Sequence, residues 1–316
     1  MEVDTITEEP KVEKNEDKIE KKEPKYVLNY HTNYVSCSTV LHDGRFATGS
    51  KDKLIIIYNC ENFKPDIVIN EHKKGIRCLM QLSSGELVSG SEDNQIKIYK
   101  IEKDKYQVIQ TLSNHKNWIN KIIELKNNQL VSCSFDGTIL FYTKDENNLF
   151  RMEQDCTITA NGYNGPIIQT KENEICYYED NKTLCFYDIK DRKNITKISD
   201  INASFYNYDC LLMLSKDLLL VTGKEQITIV DLNKYEVKEK IDVSGSGLIF
   251  AACMLNEKMI LTSDENQRII TWEIKDSSLN IISTQINAHE REIYTLSKLK
   301  NGFILSAGYD RCVKIW

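Results

Sequence analysis

Four of the five histidines stand at one fixed distance from an aspartate, a pattern that raises the question of catalysis or metal binding. Each histidine precedes its aspartate by 21 residues, and a serine or threonine lies four residues before the aspartate. The pairs are His31–Asp52, His72–Asp93, His115–Asp136 and His289–Asp310. Histidine, carboxylate and hydroxyl are the groups of a nucleophilic triad. Because this set recurs along the whole chain, we interpret it as a structural hydrogen-bond network and not as a catalytic or metal site.

A longer repeat positions these sets. Residues that close a short apolar strand recur every 41 to 45 positions, and four of them follow an aspartate of the sets by six residues. They are Tyr58, Tyr99, Tyr142, Tyr187, Val230, Trp272 and Trp316. A period of about 40–45 residues, built from short strands and tight turns, is typical of a β-propeller. Seven copies predict an all-β ring of seven blades.

The second copy shows the internal pattern of a repeat most clearly. After His72, apolar strands at 76–82, 86–91 and 95–99 are separated by turns rich in Ser, Gly, Asp and Asn, which indicates antiparallel strands. The combination of His, Ser or Thr, Asp and an aromatic at these spacings resembles the WD40 repeat. The resemblance covers residues 25–316 and implies a seven-bladed WD40 propeller, in which a His–Ser/Thr–Asp–Trp network ties together the strands of one blade.

Three repeats depart from this pattern. In the fourth, Asn181 replaces the aspartate, and in the fifth Lys224 lies near that position. The sixth has Asn266 for the aspartate and Gly245 where the histidine would stand. We expect blades four and five to be less rigid than the others, because the hydrogen bonds of the network are missing there.

The two ends of the chain predict how the ring closes. Residues 1–24 contain nine acidic residues, five lysines and no aromatic residue, and such a composition predicts a disordered charged tail. Residues 25–30 are strand-like, and the seventh repeat ends at Trp316 after only three strands. We therefore expect the N-terminal strand to pair with the last blade and to close the ring.

The WD40 resemblance also implies a partner-binding face. Family members commonly bind partners with the residue before the turn aspartate and with two residues that flank the start of the inner strand. The matching positions are Tyr34, Lys51, Arg77, Glu92, Trp118, Asn120, Phe135, Phe250, Tyr294 and Tyr309. Exposed aromatics with an arginine are typical of interaction hot spots. We expect a protein or peptide partner in a multi-subunit complex, either a short peptide with an acidic or modified group at Arg77 or a larger folded partner.

Catalysis in the central channel and RNA binding are the two alternatives to a protein-binding face. A hydrolase in the central channel would need carboxylates or metal ligands that converge from the inner strands, and the predicted inner strands supply no such set, so we expect a non-enzymatic protein. RNA binding would use a basic patch beside Trp118, formed by Lys73, Lys74, Arg77, Lys116 and Lys121. The net charge of −6, about −4 of which lies in the tail, argues against duplex nucleic acid.

Composition also constrains ligands and location. The ten cysteines form no C-x-x-C pair and have no metal-site spacing, so we expect neither a metal nor a cofactor. No apolar run approaches the roughly 18–20 residues of a membrane span, and the N-terminus lacks a secretory-signal pattern. We therefore expect a cytoplasmic or nuclear scaffold or adaptor that does not insert into membranes.

Overall fold

The computed structural model describes residues 18–159, 164–179, 183–202, 210–243 and 245–316, and the regular secondary structure in these ranges is entirely β-strand. The strands form seven sheets, or blades. Blade one contains β3 (Val35–Val40), β4 (Phe46–Ser50), β5 (Ile55–Tyr58) and β6 (Pro65–Ile69). Blade two contains β7 (Ile76–Gln81), β8 (Leu87–Ser91), β9 (Ile96–Ile101) and β10 (Tyr106–Leu112). Blade three contains β11 (Ile119–Glu124), β12 (Leu130–Ser134), β13 (Thr138–Lys144) and β14 (Phe150–Thr159).

The remaining blades follow the same order from the inner strand to the outer strand. Blade four contains β15 (Asn164–Lys171), β16 (Glu174–Glu179), β17 (Thr183–Asp188) and β18 (Thr196–Asn202). Blade five contains β19 (Leu211–Met213), β20 (Leu218–Thr222), β21 (Gln226–Asp231) and β22 (Glu236–Asp242). Blade six contains β23 (Ile249–Asn256), β24 (Met259–Asp264), β25 (Ile269–Lys275) and β26 (Ser278–Gln285). Blade seven contains β27 (Ile293–Lys298), β28 (Ile304–Gly308), β29 (Val313–Ile315) and the N-terminal β2 (Tyr26–Leu28).

The seven blades form one closed ring. Each inner strand contacts the inner strand of the next blade, and β27 of blade seven contacts β3 of blade one. The apolar residues form seven buried clusters, one at each junction between neighbouring blades. At the junction of blades two and three, for example, Ile98 and Val88 pack with Ile122 and Tyr142. The predicted seven-bladed all-β propeller is confirmed.

Ring closure also follows the prediction. Strand β2 pairs antiparallel with β29, with Tyr26 opposite Ile315 and Leu28 opposite Val313. The backbone N–H of Lys25 donates to the carbonyl of Ile315 at 2.7 Å. Blade seven is therefore built from both ends of the described chain, and its outer strand comes from the N-terminal segment.

The predicted disordered tail differs from the structure at its C-terminal end. Residues Lys18–Glu20 form a short strand, β1, which adds parallel to the outer edge of blade six. The expectation was based on composition, whereas a sheet edge binds a segment through backbone hydrogen bonds that need no apolar side chain. The expected disorder of residues 1–17 lies outside the described residues.

The N-terminal segment also reaches blade one. The ring of Tyr26 lies 4.5 Å from that of Phe63, and the ring of Tyr30 lies 6.0 Å from that of Tyr58, measured between centroids. With β1 on blade six and β2 in blade seven, the segment thus spans three consecutive blades.

Deleting residues 25–30 should abolish soluble expression, because it removes β2 and leaves β29 as an open edge at the closure of the ring. Deleting residues 1–17 should leave the yield and the melting temperature unchanged. Both variants can be compared with the intact chain by soluble yield and differential scanning fluorimetry. Equal behaviour of the two deletions would contradict the closing role of β2.

Candidate functional site

The repeated histidines lie in local hydrogen-bond networks within single blades. In blade two, Nδ1 of His72 lies 2.9 Å from a carboxylate oxygen of Asp93, and Nε2 lies 2.7 Å from Oγ of Ser89. The other three histidines contact their aspartate at 2.8–2.9 Å and their hydroxyl at 2.6–2.8 Å. The four sets stand in four different blades, so the structure does not bring them together into a single site.

Charge fixes the direction of the hydrogen bonds. Burial works to raise the pKa of Asp93, but hydrogen bonds from His72 and from the backbone N–H groups of Lys73 and Gln95 lower it to about 2. The carboxylate is therefore ionised at neutral pH and only accepts, so Nδ1 of His72 must donate to it. Burial also lowers the pKa of His289, although Asp310 opposes this shift. The neutral imidazole then has Nε2 available as an acceptor for the hydroxyl of Ser306.

The aromatic residue completes the network where the sequence supplies a suitable donor. Nε1 of Trp316 donates to Oγ of Ser306 at 2.8 Å. In blade two, where a tyrosine replaces the tryptophan, 3.2 Å separates the hydroxyl oxygen of Tyr99 from Oγ of Ser89. The network thus joins the loop before the inner strand to the second and third strands.

In blades four to six other contacts take the place of the histidine–aspartate hydrogen bonds. In blade four the hydroxyls of Tyr177 and Tyr187 lie 3.4 Å apart, and Asn181 lies outside the described residues. In blade five the positions of the serine and the aromatic are taken by buried Val221 and Val230, which pack in one cluster at the junction with blade four. In blade six the side-chain amide of Asn266 donates to the carbonyl of Gly245. This bond joins the two positions, 21 residues apart, that histidine and aspartate occupy in the four regular blades, but neither partner is ionised.

Replacing Asp93 with alanine should lower the free energy of unfolding by about 1–3 kcal/mol, because the buried Nδ1–H of His72 loses its acceptor. The contribution of this carboxylate is present above its ordinary pKa, and it is lost as the pH falls towards 2. Urea unfolding at pH 7 measures the change. Asp104→Ala, in the exposed loop between β9 and β10 of the same blade, is the matched control and should change stability little.

Amide hydrogen exchange should be faster in β20 and β21 of blade five than in β8 and β9 of blade two. Blade two has an ionised network that holds its turn, whereas blade five has apolar side chains at these positions. Exchange followed by mass spectrometry on peptides from both blades tests this expectation. Equal protection in the two blades would show that packing alone sets their rigidity.

Backbone hydrogen bonds place the expected binding residues on one face. In blade one the N–H of Lys51 donates to the carbonyl of Tyr34 at 3.0 Å, and in blade three Phe135 donates to Trp118 at the same distance. The equivalent bonds in the other blades join Glu92 to Gly75, Tyr309 to Glu292, and Glu265 to Leu248. Because one bond recurs in five blades, these residues lie at equivalent positions around the ring. We call the surface that carries them the upper face.

Six of the ten candidate residues lie together over blades one to three, and we call them the arginine cluster: Lys51, Arg77, Glu92, Trp118, Asn120 and Phe135. The guanidinium carbon of Arg77 lies 4.8 Å from the ring centre of Phe135 and 5.7 Å from that of Trp118. The Nη2 of Arg77 donates to Oδ1 of Asn120 at 3.2 Å. The rings of Trp118 and Phe135 lie 5.6 Å apart.

A buried carboxylate organises the arginine cluster. The side chain of Glu92 is 5 % exposed and pairs with the ammonium of Lys51 and, at 3.7 Å, with the guanidinium of Arg77. The ammonium of Lys51 also lies 5.2 Å from the ring centre of Trp118. Two cations thus share one anion, so the cluster retains a net charge of about +1. Nε of Arg77 is buried without a hydrogen-bond partner among the described residues.

The other four residues form the tyrosine cluster over blades six, seven and one: Tyr34, Phe250, Tyr294 and Tyr309. The rings of Tyr34 and Tyr309 stack at 5.4 Å with an interplanar angle of 9°. The ring of Tyr294 meets those of Tyr34 and Phe250 edge-on, at 5.7 and 5.1 Å. Arg291 was not among the predicted residues, because it lies outside the three positions per blade that the family resemblance implies. Its guanidinium lies 4.8 Å from the ring centre of Tyr309.

A cavity of about 370 Å³ lies between the two clusters at the mouth of the central channel. Its lining includes Tyr34, Arg77, Glu92, Asn120, Phe250 and Tyr294. Thiols also line it, but burial raises the pKa of Cys37 to about 12 and that of Cys78 to about 11, so both are protonated at neutral pH and are poor nucleophiles. Within the described ranges no group of three potential metal ligands occurs. The arrangement is suited to binding by stacking, burial and hydrogen bonds.

Four segments match the family model described as "WD domain, G-beta repeat": 22–59, 63–100, 106–143 and 280–316. These segments contain the four His–Asp pairs. No curated protein matches the chain. In the part of the chain that the structure describes, no helix has the length and apolar character needed to cross a membrane.

Proposed function

Because the chain is a WD40-repeat protein whose seven repeats form one propeller, we propose that it is a non-catalytic scaffold or adaptor that binds a protein or peptide partner on its upper face. WD40 propellers generally act as protein-interaction scaffolds. The observation that carries the proposal is the position of the ten candidate residues, which gather in two aromatic clusters around one cavity. We further propose that it works in the cytoplasm or nucleus as a subunit of a complex.

The chemistry of the upper face supports a peptide partner. Stacked tyrosines and tryptophan offer large contact areas at a low cost in side-chain entropy, and such residues dominate interaction hot spots. Tyr309 is 42 % exposed, so a partner can bury more of its ring. The cavity between the clusters has the volume of a pocket that holds one or two side chains. An extended peptide that crosses the channel mouth would contact both clusters at once.

We propose that the peptide presents an acidic residue to the arginine cluster. The guanidinium of Arg77 pairs with the carboxylate of Glu92, so part of its charge is already neutralised. The net charge of the cluster nevertheless favours an anion, and the side chains of Arg77 and Lys51 are 20 % and 32 % exposed, so charged donors can reach an acceptor oxygen. A carboxylate that bridges Arg77 and Lys51 would leave Glu92 as the buried counter-ion of the site.

RNA binding is the second candidate, and one observation favours it. Lys73, Lys74, Lys116 and Lys121 are exposed on blades two and three, and Trp118 lies between the last two of them in the chain. Phosphates could contact these lysines while a base stacks on the indole. Arg77 belongs to the same predicted basic patch, but its guanidinium already pairs with the carboxylate of Glu92. This pairing weakens the attraction of the patch for phosphate and thus the RNA alternative. Binding of RNA would fall steeply with salt.

Affinity capture from cells of the source organism, with the double variant Trp118→Ala/Phe135→Ala, tests the proposal. We expect partners of the intact chain to be lost from this variant, because truncating two neighbouring hot-spot aromatics costs about 2 kcal/mol or more of binding free energy. The matched control is Val68→Ala/Ile109→Ala, which removes two exposed apolar side chains from the outer strands of blades one and two. This control should retain the partners.

Three outcomes are distinguished by the same capture. Loss of proteins from the aromatic variant alone supports a protein partner on the upper face. Salt-sensitive retention of RNA, lost in Arg77→Ala/Lys121→Ala, would favour the second candidate. Unchanged partners in a variant that retains its melting temperature would contradict the proposed site.

A further inference from the structure

We propose that the outer edge of blade six is a second docking site, which binds an extended strand of a partner protein, and that β1 covers this edge as an exchangeable strand. Addition of a strand to a sheet edge is a general mode of peptide recognition. Blade six is the one blade whose outer strand carries a fifth strand among the described residues. The structure therefore shows that this edge accepts an additional strand.

The contacts that hold β1 are made to its backbone. Strand β1 pairs in parallel with residues Ser283–Gln285, and the N–H of Ile286 donates to the carbonyl of Glu20 at 3.1 Å. The side-chain amide of Gln285 then binds both backbone groups of Lys22: Oε1 accepts its N–H at 2.9 Å and Nε2 donates to its carbonyl at 3.0 Å. Any extended segment with a free N–H at this position can make the same contacts.

The side chains of β1 contribute little to its docking. Ile19 is 69 % exposed. Lys18 and Lys22 pair with Glu20, a residue of the same segment, and their side chains are 74 % and 69 % exposed. Exposed ion pairs of this kind stabilise by about 0–1 kcal/mol. A strand that is held through its backbone, with few side-chain contacts, can be replaced by another.

The edge next to β1 indicates what kind of strand would bind better. In the ladder between β25 and β26, Thr271 pairs with Ser283 and Trp272 with Ile281, so Ile282 is an extra, bulged residue. Its side chain is 43 % exposed, and the bulge ends the regular edge at Ser283. A partner strand with apolar side chains could bury Ile282 and would gain contacts that the charged β1 does not make.

The short tether of β1 favours a partner protein over a second copy of this chain. Only residues 21–25 separate β1 from β2, and five residues span at most about 17 Å. This tether holds β1 near its own blade six at an effective concentration in the millimolar range. The same segment of a second copy, at micromolar concentration, cannot compete with it. A partner strand can displace β1 if it makes more side-chain contacts with the edge than β1 does.

A labelled peptide of residues 16–24 tests for an exchangeable site. In the full chain with Glu20→Pro, β1 loses the backbone N–H that the parallel register directs at the carbonyl of Thr284, and the edge becomes free. We expect this variant to bind the peptide at least about tenfold more tightly than the intact chain does, because the tethered strand no longer competes. Fluorescence anisotropy gives both affinities, and sedimentation of the two proteins gives their mass.

Two further variants test whether Gln285 recognises the backbone. Adding Gln285→Ala to Glu20→Pro should weaken binding by about thirtyfold, because two hydrogen bonds of about 1 kcal/mol each are lost. Gln110→Ala is the matched control: its amide binds the backbone of Phe150 in the same two-bond manner, at 2.7 and 2.9 Å. In the Glu20→Pro background this control should leave the affinity unchanged. A peptide with its lysines and glutamates replaced by serine and threonine should bind within about threefold.

Several results would overturn the proposal. One is equal affinity for the intact chain and for Glu20→Pro, and another is no binding by a Glu20→Pro variant that retains its melting temperature. Loss of binding by the serine and threonine peptide would show that the edge recognises its own charged segment and not a general strand. Reversible dimers of the intact chain would assign the edge to a second copy. None of these results bears on the upper face, so the two proposals fail separately.

Discussion

No blade of this protein buries its own apolar surface, and this constraint determines the rest of the structure. Each of the seven buried clusters lies between two blades. The cluster at the closure of the ring contains Val35 of blade one, Ile315 of blade seven and Leu28 of the N-terminal strand. The stability of every blade therefore depends on both neighbours, and the ring is complete only when the two ends of the chain meet in blade seven.

The hydrogen-bond networks act at a different level. They join strands within a blade, and they are missing or altered in blades four to six, where the ring nevertheless continues. In blade five, buried Val221 and Val230 fill the space that serine and tyrosine occupy in blade two. Apolar packing between blades is thus sufficient to build the architecture. The ionised networks hold the turns that carry the upper face through hydrogen bonds to the aspartate of each turn.

These hydrogen bonds matter for the site. Glu92 lies directly before Asp93, the aspartate of the blade-two network, so the turn that the network holds also fixes the buried carboxylate between Lys51 and Arg77. The three charged residues come from blades one and two, and Trp118 and Phe135 from blade three. A site of this kind exists only when neighbouring blades are packed at a fixed distance. Rigidity of the ring is therefore a condition for binding at its upper face.

The spacing of the repeat was sufficient to predict seven blades, because a periodic signal is visible in a sequence. The closing role of β2 was predicted from residues 25–30 and from the three strands of the last repeat. The candidate positions on the upper face came from the resemblance to the family, and binding by these residues stays a prediction. Two features are not periodic, and no sequence pattern predicts them. The pairing of Arg77 with Glu92 depends on side-chain direction at a blade junction. The docking of β1 depends on Gln285, which binds the backbone of Lys22 across 263 residues of the chain. Local pattern thus determined the fold, whereas long-range contacts decided which cations are paired and where the charged N-terminal segment lies.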